Sequence, residues 1–239
     1  MTPVKNQHGE LLDTQLHDTN RKDCLVILGH GVTGNKDRPL LLWLAEALQN
    51  HGYPALRVSF SGNGNSEGFF QDSTVSKEIS DLTAIIDQVG HGKKIAYIGH
   101  SMGGAVGALA AARDERIHVL VSLAGMVHTA EFCEREFGAI IPDKGNMWDE
   151  DGCPLSKQYI DDMQAINSTI DAAKGVKAPW LLLHGTADDV VLPKDSHDLY
   201  NILQCQSDLI EIENATHSFD DNYQAVSEHI CAWLDKHLE

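Results

Sequence analysis

Cysteine is scarce and unpatterned in this chain: Cys24, Cys133, Cys153, Cys205 and Cys231 are odd in number, scattered, and free of any CxxC spacing. That argues against a disulfide framework and a cysteine-knuckle metal site, and suits reduced thiols that serve as structural filler. HExxH and His-x-His pairs are also missing, so no metal is expected. Long apolar runs are absent; none reaches the length of about 18 residues that a membrane span needs. The opening "MTPVKNQHGELLDTQLHDTNRKDC" is polar throughout and lacks the apolar centre of a signal peptide. Basic side chains are few, with eighteen Lys and Arg against thirty-five Asp and Glu and a formal charge of −17. Such a surface repels phosphate backbones and anionic membranes. These absences point to a soluble, cytoplasmic protein with neither nucleic acid nor membrane as a partner.

What remains is the pattern of an α/β protein. A chain of 239 residues is long enough for one domain that buries about 70–75% of its unfolded surface. No repeat, low-complexity tract or linker divides it, so residues 1–239 read as a single domain. The opening "VKNQHGELLDTQLH" suits a hairpin about His8-Gly9. Strand-like runs follow: "CLVILGHG", "ALRVSF", "KKIAYIGHS", "VLVSLAG", "PWLLLHGTAD" and "DLIEIEN". Five are continuously apolar, as strands covered on both faces are. Helical candidates fall between them: "PLLLWLAEALQNHG" with a glycine stop, "STVSKEISDLTAIIDQV" with a Ser or Thr start, "AVGALAAARDE", and the C-terminal "YQAVSEHICAWLDKHL". A mostly parallel central sheet flanked by helices is the expectation. One connection is too long for this rhythm. Residues 127–178 separate two strands and hold a plausible turn at Asp151-Gly152 and the helical "SKQYIDDMQAINSTIDAA". We read them as a small cap, inserted before the strand that carries the catalytic acid.

Chemistry enters at Gly99-His100-Ser101-Met102-Gly103, a G-x-S-x-G between an apolar strand and an alanine-rich helix. In that context the pattern is a nucleophile elbow: glycines allow a tight, strained turn that presents the Ser101 hydroxyl. The Met102 amide, opening the helix, then faces the place where an oxyanion would form. A serine nucleophile needs a base, and the base an orienting acid. "HGTADDVV" offers Asp188, with Asp189 as runner-up, and "ATHSF" puts His217 after the last strand. The order Ser101, Asp188, His217 is the order of the G-x-S-x-G hydrolases. A competing pattern, G-x-G-x-x-G at Gly29 to Gly34, would suit a dinucleotide-binding oxidoreductase. Its context is wrong, because "NKDRP" delays the helix and the next strand ends without the acid that holds a ribose. No cofactor is expected.

Through "GHGVTGNKD", "SFSGNGNSEG", "GHSMGG", "HGTADDVV" and "ATHSF" the chain resembles the α/β-hydrolase superfamily over nearly its whole length, in particular the small cytosolic carboxylesterases that include cinnamoyl and feruloyl esterases. The resemblance implies the α/β-hydrolase fold, Asp188 as the acid, and Val32, after His30-Gly31, as the second oxyanion amide beside Met102. It also implies an acyl-enzyme reaction on a small-molecule ester. Phe132, Phe137, Met147, Trp148 and Tyr159 lie in the cap segment, with ten acidic against five basic residues. We expect Trp148, Tyr159 and Phe132 to contact a short-chain or aromatic acyl group, a hydroxycinnamoyl group for example, and a free carboxylate to be repelled. Thioesterase, small peptidase and monoglyceride lipase are the alternatives on the same scaffold.

Overall fold

The computed structural model describes residues 3–238. A short hairpin, β1 (Val4–Lys5) paired antiparallel with β2 (Leu11–Leu12), opens the chain and turns at Gly9, whose φ is 79°. The rest is built on a seven-stranded sheet. In chain order its strands are β3 (Thr14–His17), β4 (Cys24–Gly29), β5 (Ala55–Val58), β6 (Lys94–His100), β7 (Ile117–Leu123), β8 (Trp180–Gly185) and β9 (Ser207–Ile212). Their spatial order is β3-β5-β4-β6-β7-β8-β9, with β3 alone antiparallel to its neighbour. All of β4, β5 and β8 is buried, as strands covered on both faces are, with Arg57 and His184 the buried polar side chains among their apolar residues.

The flanking helices are α1 (Pro39–His51), α2 (Val75–Val89), α3 (Met102–Ala111), α4 (Thr129–Phe137), α5 (Lys157–Ile166), α6 (Ile170–Ala173), α7 (Pro193–Tyr200) and α8 (Tyr223–His237). Local chemistry sets several boundaries. Pro39 sits at the first position of α1, and Gly52 ends that helix in the left-handed conformation. Thr74 Oγ1 accepts the Lys77 amide at the start of α2, as the Ser-Thr pair there predicts. Two apolar cores result. One packs α2, α3 and residues of the 127–178 segment on one face of the sheet; the other packs α1 and α8 on the opposite face.

Chain reversal places the site. From β4 the chain steps to β5 on one side and later to β6 on the other, so the two central strands bound a crevice where ligands bind in open α/β sheets. The loops after β4, β6, β8 and β9 all leave from the same edge of the parallel sheet.

The long connection between β7 and β8 holds α4, a helical turn at Met147–Asp149, a single bridge between Asn146 and Pro154, then α5 and α6. Here the structure differs from the single helix read from the sequence. Asn167, with φ 59°, ends α5, and the Ser168 hydroxyl accepts the Ile170 amide to begin α6. The same Asn-Ser-Thr run that looks tolerable inside a helix supplies better local hydrogen bonds outside one. The short helices α4 and α7 also escaped the sequence reading.

Candidate active site

Ser101 joins β6 to α3 with φ 57° and ψ −121°, a strained conformation for a residue with a side chain. Its surroundings hold it there. The Ser101 amide donates to Leu123 O at 2.9 Å, and its carbonyl accepts the amides of Gly104 at 2.9 Å and Met126 at 3.0 Å. The flanking glycines allow close approach: a β-carbon on Gly99 would stand 2.1 Å from Gly103 O, and one on Gly103 would stand 2.6 Å from His30 O. Gly31 packs against the serine itself, where an added β-carbon would be 2.6 Å from Ser101 Cβ. This contact brings the loop that carries Val32 beside Ser101. Among the described residues, neither the Val32 nor the Met102 amide donates to another backbone group in the turns, loops and caps, as the expectation of oxyanion donors there requires. The former dinucleotide-like glycine pattern thus forms the wall facing Ser101.

His30 braces that wall. Its buried ring donates from Nδ1 to Gly31 O at 2.9 Å and accepts the Phe60 amide on Nε2 at 3.0 Å. Burial pulls its pKa down to about 4, so it stays a neutral strut.

Asp188, beyond β8, is buried and fully hydrogen bonded. Oδ1 accepts the amides of Val190 at 2.9 Å and Val191 at 3.0 Å, and Oδ2 accepts His217 Nδ1–H at 2.8 Å. His184 Nε2 lies 3.2 Å from the same Oδ2. Burial alone would raise the carboxyl pKa, but the hydrogen bonds from His184 and His217 outweigh it and hold Asp188 well below the usual carboxylate range. Asp189 is exposed; its neighbour Asp188 is the acid that meets the histidine.

With Nδ1 donating to Asp188, the neutral tautomer of His217 leaves Nε2 as its acceptor nitrogen. Its ring lies 4.7 Å from that of His100, tilted by 40°, and His100 Nε2–H donates to the His217 carbonyl at 2.9 Å. Burial, and then the neighbouring His217, draw the His100 pKa down to about 3, so this second ring does not compete for the proton. Ser101 and His217 line one cleft, although no direct hydrogen bond joins them in this structure. Such contacts commonly tighten only when substrate is bound.

The cleft measures about 520 Å³ and combines apolar Leu40, Leu41, Val190 and Trp148 with polar Arg38, Glu150 and Asp220. Trp148, 41% exposed, is the predicted contact residue that lines it. Phe132 and Tyr159, each 2% exposed, do not; they belong to the core. Phe132 packs edge-on against Phe137 at 5.9 Å, Phe137 likewise against Tyr159 at 6.1 Å, and Trp148 rests on Phe137 at 4.9 Å. Trp148 sits on a turn of positive φ and donates from Nε1 to Glu136 Oε2 at 3.0 Å. Arg135 ties this region to the acid loop by donating to Val190 O. Sequence reasoning passed over His100, His184 and Arg38, because single histidines and a loop arginine carry no spacing signal. Among the described residues no cluster of three or more His, Cys, Asp or Glu side chains is arranged to hold a metal ion, and no helix is long and apolar enough to cross a membrane.

Residues 42–239 match the family model of the prolyl oligopeptidase family. The chain belongs to that family. Among curated proteins, it is 29% identical over 176 residues to the cattle (Bos taurus) Palmitoyl-protein thioesterase ABHD10, mitochondrial, a match spanning 70% of this chain and 57% of that one. The chain thus covers little more than half of the length of that relative. It is 27% identical over 226 residues to the uncharacterized protein YfhR of Salmonella typhi, covering 88% of this chain and 70% of that one. Among solved structures, Est1E from Butyrivibrio proteoclasticus, with ferulic acid bound, superposes with a TM-score of 0.89 at 26% identity over 99% of each chain. Mouse alpha/beta hydrolase domain-containing protein 10 gives 0.82 at 19% identity over 98% of each, a likeness of fold. The α/β-hydrolase fold expected of this family member is thereby borne out.

Proposed function

We propose that this protein is a serine carboxylesterase acting on short-chain or aromatic esters. The observation that carries the reading is the 2.8 Å contact of His217 Nδ1 with the buried, ionised Asp188, in a cleft shared with the strained Ser101. In the reaction His217 Nε2 takes the hydroxyl proton as Ser101 Oγ bonds to the ester carbonyl carbon. The Val32 and Met102 amides receive the oxyanion. The carbon–oxygen bond to the alcohol then breaks, and the proton passes from His217 to the departing oxygen. Water, deprotonated by His217, releases the acid and restores Ser101.

Residues 127–178 act as a cap in this reading, with Trp148 as an aromatic wall for a flat acyl group. The ferulic acid held by Est1E supports an aromatic acyl class. Arg38 in the cleft tempers the expectation that a carboxylate is repelled, although Glu150 and Asp220 line the same space. A second reading, hydrolysis of thioesters, is favoured by the name of the cattle relative; the same triad serves either leaving group. A panel of oxygen esters and thioesters, varied in acyl length and aromaticity and compared by kcat/KM, tests both. The proposal expects short and aromatic oxygen esters to lead; a clear preference for long-chain thioesters would replace it with the second reading.

A further inference from the structure

The acid Asp188 is gripped by two imidazoles, and the reaction proposed above uses only one. His184 lies on β8, four residues before the acid and wholly buried. Its Nε2 stands 2.8 Å from Val191 O and 3.2 Å from Asp188 Oδ2, and its Nδ1 stands 2.7 Å from Ser196 Oγ. A carbonyl oxygen only accepts, so Nε2 carries the proton. In the neutral ring Nδ1 is then the acceptor of a hydrogen bond that the Ser196 hydroxyl donates. That Nε2–H is directed at Val191 O, with Asp188 Oδ2 a longer, secondary contact of the same nitrogen.

The consequence concerns the geometry of the carboxylate. Two backbone amides fix Oδ1, and two imidazoles converge on Oδ2. The amides alone leave the carboxylate free to rock about Oδ1. The β8 imidazole restrains it from the sheet: it holds Val191, whose amide grips Oδ1, and stands 3.2 Å from Oδ2. Other charge is directed elsewhere: Asp195, next to Ser196, accepts the amides of Val127 at 2.8 Å and His128 at 3.1 Å.

We propose that His184 is a positioning residue for acyl transfer: its Nε2–H orients Asp188 Oδ2 toward His217, and Ser196 fixes the His184 tautomer that makes this donor. The inference rests on the reading of Ser101, His217 and Asp188 as a triad.

The test compares His184→Leu, which has no donor, His184→Gln, which keeps one near the Nε2 position, and Ser196→Ala. Each is assayed for kcat and KM on a chromogenic short-chain ester, and for the downfield proton resonance of the His217–Asp188 hydrogen bond. Ser101→Ala is run alongside. His184→Leu should lose about 10- to 100-fold in kcat, the scale on which partners that orient a metal's histidine ligands matter, with KM little changed and the resonance shifted or lost. His184→Gln should recover most of both readouts, and Ser196→Ala should move them in the direction of His184→Leu by less. Equal losses in His184→Leu and His184→Gln, or a folded His184→Leu with wild-type kcat and resonance, would overturn the proposal. If His184→Leu does not fold, unchanged kcat and resonance in Ser196→Ala overturn it instead. Turnover retained by Ser101→Ala would reject the triad itself, whereas the resonance reports on His184 whichever way that falls.

Discussion

Gly31 and Ser101 pack so closely that a β-carbon on the glycine would stand 2.6 Å from the serine's own. That contact holds the loop carrying Val32, the proposed second oxyanion donor, against Ser101. Gly31→Ala must therefore push the Val32 loop away from the nucleophile. We expect kcat to fall about 10²-fold or more, comparable to removal of one oxyanion donor, while circular dichroism stays native. Wild-type turnover in a folded Gly31→Ala would mean that the second donor lies elsewhere.

Adjacent aspartates should behave very differently. Asp188→Asn replaces the acceptor of His217 Nδ1–H, and kcat should drop on the order of 10⁴-fold, as when a triad acid is neutralised. Asp189 is exposed, so Asp189→Asn should change kcat less than about 3-fold, within the usual tolerance of surface substitutions. The pair of rate measurements decides; the reverse ranking would place the acid one position along.

The aromatic residues of the 127–178 segment separate into a wall and a core. Trp148→Ala should lower kcat/KM for aromatic esters about 10-fold relative to aliphatic ones, the scale of a lost stacking partner. Phe132→Ala should instead cost about 3–5 kcal/mol of stability and leave the ester ranking unchanged. Denaturant melts and the ester panel separate the two, and a selectivity change in a stable Phe132→Ala would contradict the assignment.

This separation marks the limit of what the sequence discloses. The candidate triad was legible because Ser101, Asp188 and His217 each follow a strand, and parallel strands deliver their ends to one edge. Phe132, Trp148 and Tyr159 were not separable, since amphipathic helices present rings to a core and to a cleft with the same periodicity. What divides them is a turn of positive φ at Trp148, which sequence does not announce. His184 was hidden for a related reason: its role depends on Asp188 folding back across four residues to meet it. The break between α5 and α6 at Asn167 was lost to a competition between local hydrogen bonds and helix continuity.

Glu78, on α2, gives a pH test. It is buried with Oε2 unpartnered, and burial, with Asp81 and Asp162 adding repulsion, raises its pKa well above the usual 4.5. An acid whose folded pKa exceeds its unfolded one favours the fold fully below about pH 4.5 and loses that contribution as pH rises through the folded value. Glu78→Gln removes the titration. The variant's Tm relative to wild type should therefore climb between pH 5 and pH 8. A difference that stays constant with pH would show that Glu78 is not held protonated.

The central claim is covalent catalysis at Ser101, and trapping the acyl-enzyme tests it most directly. Rapid quenching of wild-type protein during turnover of a chromogenic ester, followed by peptide mass spectrometry, should show the acyl mass on Ser101 alone and an initial release of alcohol of about one equivalent per active site. Ser101→Ala should show neither, with kcat lower on the order of 10⁶-fold. Ester turnover that persists in Ser101→Ala, or an acyl group found on another residue, would contradict the account.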